Sequence, residues 1–204
     1  MNQMNTTSEQ NQFIIKHIKD NTLCPFAKNS YSNTLIRINN LEDNIALSKI
    51  KKQLTNIIEN RDYVKQDFIS FYFDNSIRIK DVNNLSQILR KLLFYFNYKY
   101  MTDSVSSLKI EDDKWRYIFK DTKWFFIFLS NIYPENHPRY SKMNILLMQP
   151  DHSFHRIFNY KNKEHVKRNV RLLFKRKGII YNHKINESSK YIISVNANDI
   201  VKWW

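Results

Sequence analysis

The chain has 204 residues, 42% of them hydrophobic and 15% aromatic, with 33 Lys and Arg against 19 Asp and Glu and a formal net charge of +14. That length makes one domain the default and is enough to bury a core. A single glycine in the whole sequence excludes phosphate-cradling loops of the G-x-G-x-x-G and G-x-x-x-x-G-K kinds, and with them P-loop hydrolysis and the usual dinucleotide fingerprint.

The positive excess would suit nucleic acid, a membrane surface or a polyanionic cofactor. The chain is rich in Lys, Asn and Ile and poor in Gly, Ala and Arg, so compositional drift is favoured over a dedicated nucleic-acid surface. The one cysteine, Cys24, permits neither an internal disulfide nor a cysteine-pair zinc site and fits a reducing, cytoplasmic setting. The polar start MNQMNTTSEQNQ is not expected to be a signal peptide. No run of about 18 apolar residues is found, so no membrane partner is expected.

Residues 1–11 read as frayed, followed by a short helix with Phe13, Ile14 and Ile18 on one face. Residues 1–21 thus form a flexible N-terminus, and 22–204 the domain. Pro25 pushes Cys24 toward extended backbone. A helix starts at Asn40, where Asn39 with Glu42 or Asn40 with Asp43 resembles a cap, and carries Leu47, Ile50, Leu54, Ile57 and Ile58 at helical spacing. Asp67 to Phe73 reads as a strand. A second helix runs from Asp81 to about Tyr98, with Leu85, Ile88, Leu89, Leu92 and Phe96 on one stripe. Residues 102–113 read as a loop.

Trp115, Tyr117 and Phe119 alternate with Arg116 and Ile118; Lys120 to Lys123 turn, and Trp124 to Leu129 return as a buried strand. Asn144 to Met148 form a third run, ended by Pro150, and Asp151 caps a short helix through Tyr160. The next helix, Asn162 to Lys177, turns Val166, Val170, Leu173 and Phe174 inward. Its outer face carries Lys163, Lys167, Arg168, Arg171, Lys175 and Arg176, and Gly178 follows where a left-handed residue ends a helix. Ile179 to Tyr181 reads as a short strand. The fold class is α+β, a single domain with one mainly antiparallel sheet flanked by helices.

The segment Pro134–Lys142 is the least ordinary. His137 sits between two prolines in what reads as a stiff, extended loop between strands, where a scaffold holds ligands. A neutral imidazole there could ligate iron; the plain alternative is a surface histidine in a turn. Arg139, Ser141 and Lys142 could pair with carboxylates or form a solvated basic turn. Cys24 is a thiolate candidate or a small buried hydrophobe. His152 and His155 stand three apart on a short helix, but no further metal ligand accompanies them. The basic helix lacks the aromatic interleaving of single-strand binders.

The order of motifs resembles the YqcI/YcgG family, which includes the haem-dependent N-hydroxylases of guanitoxin and cycloserine biosynthesis. Leu23-Cys24-Pro25-Phe26-Ala27-Lys28 is similar to a Pro-Cys-x-x-Ala-[Lys/Arg] segment, with the proline on the other side of the cysteine. Phe68 to Phe73 and the helix after it resemble the family's strand and helix. Trp115 to Phe119 with Trp124 to Ile127 look like its paired strands, without the glycine of the turn. His137-Pro138-Arg139-Tyr140-Ser141-Lys142 resembles His-Pro-x-x-Ser-Arg, with Lys142 for the final arginine, and Leu147-Met148-Gln149-Pro150 to Phe154 resembles F-[QN]-P-x-x-x-F. Trp203 lies where a terminal tryptophan motif falls, and the Asn-Pro element is absent near 178–196.

The resemblance implies haem b, with His137 as the iron ligand and Cys24 in or near the pocket. It implies Arg139 or Lys142 against the propionates, with Ser141 also at the cofactor, and Trp115, Phe119, Trp124 and Phe126 suit the apolar walls. The reaction would be oxygen-dependent N-hydroxylation of an arginine-like guanidine or amine, fed by an external electron donor. A small cationic, amino-acid-like substrate would need a carboxylate, and Asp121, Glu135 and Asp151 all stand open for it. A non-catalytic haem carrier or sensor and a basic nucleic-acid-binding protein are the competing readings, and a homodimer is left open.

Overall fold

A computed structural model of the chain describes residues 7–21, 30–107, 110–112, 115–157, 163–178, 186–195 and 201–204. Its centre is one five-stranded sheet in the order β1-β2-β5-β4-β3, formed by β1 (Leu35–Ile38), β2 (Ile69–Phe73), β3 (Tyr117–Phe119), β4 (Thr122–Leu129) and β5 (Ile145–Pro150). Only β1 and β2 pair in parallel; the other three pairings are antiparallel. A parallel pair needs a crossover, and α2 (Asn44–Glu59) with the tight 3₁₀ turn Arg61–Lys65 supplies it. The α+β reading with a mainly antiparallel sheet therefore holds.

Alternation along the strands divides the core in two. Ile36, Ile38, Phe71, Phe73, Trp124, Phe126, Phe128, Leu146 and Met148 face the larger cluster, where α2 and α3 (Val82–Phe96) bring Leu47, Leu54, Leu85, Leu89 and Leu92. Leu35, Leu129, Ile145 and Leu147 face the other way, onto Ile14, Ile15 and Ile18 of α1 (Thr7–Asn21). The sheet is thus covered on both faces. Each large apolar side chain removed from water here is worth about 2 kcal/mol.

Several expectations shift at the element ends. The N-terminal helix is longer than expected, and Phe13 is 49% exposed while Ile15 is buried, because the arc centred on Ile14, Ile15 and Ile18 leaves position 13 outside. Helix α2 starts at Asn44 rather than Asn40. Asn40 instead closes the preceding turn, its Oδ1 accepting from Glu42 N, and Asp43 caps the helix by accepting from Ile45 N. The 102–113 stretch is not all loop, since α4 (Tyr98–Ser107) follows α3 after the single residue Asn97. Asn97 breaks the helix with extended-like backbone and then accepts from Tyr100 N at 3.3 Å.

The hairpin turn between β3 and β4 is two residues, Lys120 and Asp121, both with positive φ (50° and 55°). That geometry matches strand twist and favours Gly, Asn or Asp, so Asp121 suits it and Lys120 is the strained residue of the turn. Lys120 also reaches Glu59 of α2 at 2.8 Å. β5 runs on to Pro150, which pairs opposite Trp124, and α5 (Asp151–Ile157) begins at once. The basic helix α6 (Lys163–Arg176) ends as expected, with Gly178 at φ 72°. The expected strand at 179–181 and the end of the α5 prediction at 158–160 lie outside the described residues.

Residues 186–195 run along the sheet as a strap. Asn186 donates to Ile110 O and to Asp112 O, and Ser188 Oγ donates to Trp115 O at 2.8 Å. Tyr191 donates to Trp124 O at 2.7 Å. Trp203, fully buried, stacks on Tyr191 with centroids 5.2 Å apart and donates Nε1–H to Ser188 O.

Candidate functional site

The loop from Ser130 to Asn144 joins β4 to β5. It is folded rather than extended. His137 N donates to Pro134 O and Tyr140 N to His137 O, so two turns follow each other. Ser130 N donates to Arg139 O and Ser141 N to Ser130 O, which pins the Arg139–Ser141 part of the His-Pro-Arg-Tyr-Ser-Lys segment to the end of β4. Two prolines stiffen this path.

His137 is 4% exposed. Its Nδ1 accepts from Arg139 N at 3.0 Å, and its Nε2 lies 3.2 Å from Ser194 O. A carbonyl only accepts, so Nε2 carries the proton. The ring is stacked on Tyr133, 4.4 Å between centroids and 9° between planes, and the Tyr133 hydroxyl donates to Ile193 O at 2.9 Å. Burial, with the Arg139 charge second, lowers the His137 pKa to about 4, against the pull of the Ser194 carbonyl. The imidazole is neutral at ordinary pH, with both nitrogens in use.

The other expected site residues fall in three places. Arg139 is buried beside His137 and donates Nη2–H to Lys190 O at 3.2 Å, so the strap again provides the partner. Ser141 is buried but turns to α1, where its Oγ is 3.2 Å from His17 Nε2 and accepts from Met143 N. Lys142 is exposed and near enough to His17 to depress that imidazole's pKa, after burial. Trp115 and Phe126 are core residues: Trp115 packs on Tyr191 and Trp203, Phe126 on Tyr117 and Tyr191. Cys24 lies outside the described residues. Of the three carboxylates, Asp121 is in the hairpin turn, Glu135 accepts from the Tyr140 hydroxyl, and Asp151 faces His155 at 3.7 Å.

A second corner, at the opposite end of β4 and β5, was not apparent from the sequence. Tyr63, from the turn after α2, packs on Trp124 at 5.7 Å and meets His152 edge to face at 5.1 Å. Buried Asp67 accepts from Tyr31 N at 2.7 Å and is ion-paired with Arg156 of α5. His152 and His155, three apart on α5, do not converge; one meets Tyr63 and the other Asp151. Among the described residues no group of three or more His, Cys, Asp or Glu is placed to hold a metal ion.

The class these features define is an α+β protein whose one proline-framed histidine loop is strapped down by its C-terminal segment. The chain belongs to the YqcI/YcgG family, which it matches over residues 10–188. No curated protein and no solved structure matches it. The match stops short of Ser194, whose carbonyl accepts the His137 proton.

Proposed function

We propose that the chain is a haem-binding member of its family, acting as an oxygen-dependent N-hydroxylase on an arginine-like guanidine or amine. The observation that carries this reading is the family match over residues 10–188, inside which lie Cys24, the paired strands and the His137 loop. When bound, haem would supply the oxygen chemistry, fed by an external electron donor.

The fold described does not accommodate iron at His137. Ligation needs a bare ring nitrogen, with the other protonated toward an acceptor. Here Nδ1 faces an N–H donor and Nε2 faces a carbonyl. Taking iron at Nε2 requires the Ser194 carbonyl to leave, the proton to move to Nδ1, and Arg139 N–H to lose its acceptor. Trp115 and Phe126 are packed among other aromatic rings, so walls for a flat ligand are not open beside the loop.

Titration of the wild type and of His137→Ala with haem, followed by absorbance, tests the reading. A saturable, stoichiometric Soret shift in the wild type that His137→Ala loses would support it and place the ligand. A shift that His137→Ala keeps would move the ligand to another residue. No saturable shift would sink the haem reading. With haem bound, the appearance of a hydroxylated product from arginine-like amines, given reductant and oxygen, separates the enzyme from a carrier or sensor.

A further inference from the structure

Helix α6 adds nothing to the core. Among the described residues, neither hydrophobic cluster contains one of its side chains. The stripe expected to turn inward is only partly sheltered, since Val170, Leu173 and Phe174 are half-buried. Leu172 lies on the other side of the helix and is 43% exposed.

The surface around Leu172 is basic. Arg168, Arg171, Lys175 and Arg176 all fall within about 100° of it around the helix axis. Arg168, Lys175 and Arg176 are exposed and Arg171 is half-exposed. No acidic residue occurs from His165 to Lys177. Elsewhere, Lys16, Lys65, Lys91, Lys120 and Arg156 each meet a carboxylate. Among the described residues, no carboxylate meets Arg168, Arg171, Lys175 or Arg176.

The helix dipole accounts for Lys175 and Arg176 in the last turn. It does not account for Arg168 and Arg171. These stand three apart, with Arg171 four before Lys175, so like charges repel along one side of the helix. A face charged in this way gains from an anionic partner.

The leucine decides the class of that partner. A phosphate backbone takes the cations but has no use for an aliphatic side chain in the middle of the contact. A lipid surface uses both. Anionic headgroups answer the cations, and the long Arg and Lys side chains keep their charge in the headgroup layer while a leucine reaches the acyl boundary. A helix that lies on a membrane needs no spanning length, so the lack of a described helix long and apolar enough to cross one does not bear on it.

We propose that the face of α6 formed by Arg168, Arg171, Leu172, Lys175 and Arg176 docks the protein on a membrane surface rich in anionic phospholipid, with the helix axis in the plane of the interface.

The test centrifuges the full chain with vesicles of phosphatidylcholine alone and of phosphatidylcholine mixed with phosphatidylglycerol. Co-sedimentation with the mixed vesicles only, weakening as salt rises, is expected. An Arg168→Gln, Arg171→Gln, Lys175→Gln protein is expected to bind about a hundredfold more weakly. Leu172→Ser, which leaves the charge unchanged, is expected to bind several-fold more weakly. No binding to the mixed vesicles, equal binding to the neutral ones, or an affinity indifferent to the triple substitution would each overturn the proposal. An affinity unchanged in Leu172→Ser would overturn it too, since a contact made by charge alone fits a phosphate backbone, and duplex DNA binding lost in the triple variant would then identify that partner. Where a variant does not fold, the wild-type comparison of the two vesicle types decides alone.

Discussion

Each end of the β4–β5 pair carries a tyrosine against a histidine, and the two pairs are built in opposite ways. Tyr133 and His137 are stacked flat, and every polar atom of both rings is bonded: Nδ1 to Arg139 N, Nε2 to Ser194 O, the phenol to Ile193 O. Tyr63 and His152 meet edge to face; the phenol has the Thr122 side chain as its polar neighbour, and Nε2 of His152 has no partner among the described residues. Both imidazoles are neutral through burial, so protonation does not separate them. Saturation does. A ring with both nitrogens spent holds structure together, whereas one with a spare lone pair can take a ligand. The segment that most resembles a family motif is thus the more closed of the two, and the closure comes from residues past the matched region.

The largest way to break the comparison is at the closed end. His137→Ala removes a buried ring and leaves both Arg139 N–H and Ser194 C=O unmet, so a loss of about 3–5 kcal/mol is expected in denaturant unfolding. His152→Ala, at a half-buried ring with one spare nitrogen, is expected to cost less than half of that. Equal losses would erase the distinction between the two ends of the sheet.

Acid is the next lever. The folded protein holds His137 near a pKa of about 4, while the unfolded chain takes up the proton at the ordinary 6.5. Between those values the unfolded state binds more protons, so stability is full above pH 6.5 and falls as pH drops toward 4. The gap corresponds to about 3 kcal/mol. His152 pulls in the same direction, so the share of each is read from variants: His137→Gln is expected to flatten most of the slope between pH 6.5 and 4. A slope unchanged in that variant would place the acid sensitivity elsewhere.

The sequence carried the periodic parts of this structure and not the long-range bonds. The stripes of α2 and α3 and the apolar runs of β2, β4 and β5 are visible because burial on one side repeats at the element's own period. Gly178 is visible because a left-handed residue ends a helix there. Helix α4 was hidden by a Thr- and Ser-rich tail, and the α2 start by two cap candidates, Asn39 and Asn40, neither of which caps the helix; Asp43, read as the partner of Asn40, is the cap. At the site, the two prolines marked the His137 segment as a loop between strands, which it is, but one folded into turns rather than extended. Its chemistry depended on Ser194, 57 residues away, which no local pattern encodes. The second corner joins residues from the turn after α2, the start of β2 and α5. The spacing of His152 and His155 pointed along the helix, while the working neighbour of His152 is Tyr63.

A smaller effect is expected at the ion pair beside the open corner. Asp67→Asn leaves Arg156 and Tyr31 N–H with a neutral partner, and because the Arg156 side chain is 45% exposed water screens much of the loss. A cost of about 1–2 kcal/mol is expected. Arg156→Met should cost more than Asp67→Asn only if the bare carboxylate finds no water, and a double-variant cycle measures the coupling.

The finest test compares the two phenols. Tyr133→Phe deletes a hydroxyl that donates directly to Ile193 O and leaves that carbonyl short of a partner, so a loss of roughly 1 kcal/mol is expected. Tyr63→Phe deletes a buried hydroxyl whose polar neighbour is the Thr122 side chain, and a loss smaller than that of Tyr133→Phe is expected. Equal losses in the same unfolding experiment would show that the two phenols are held equally well.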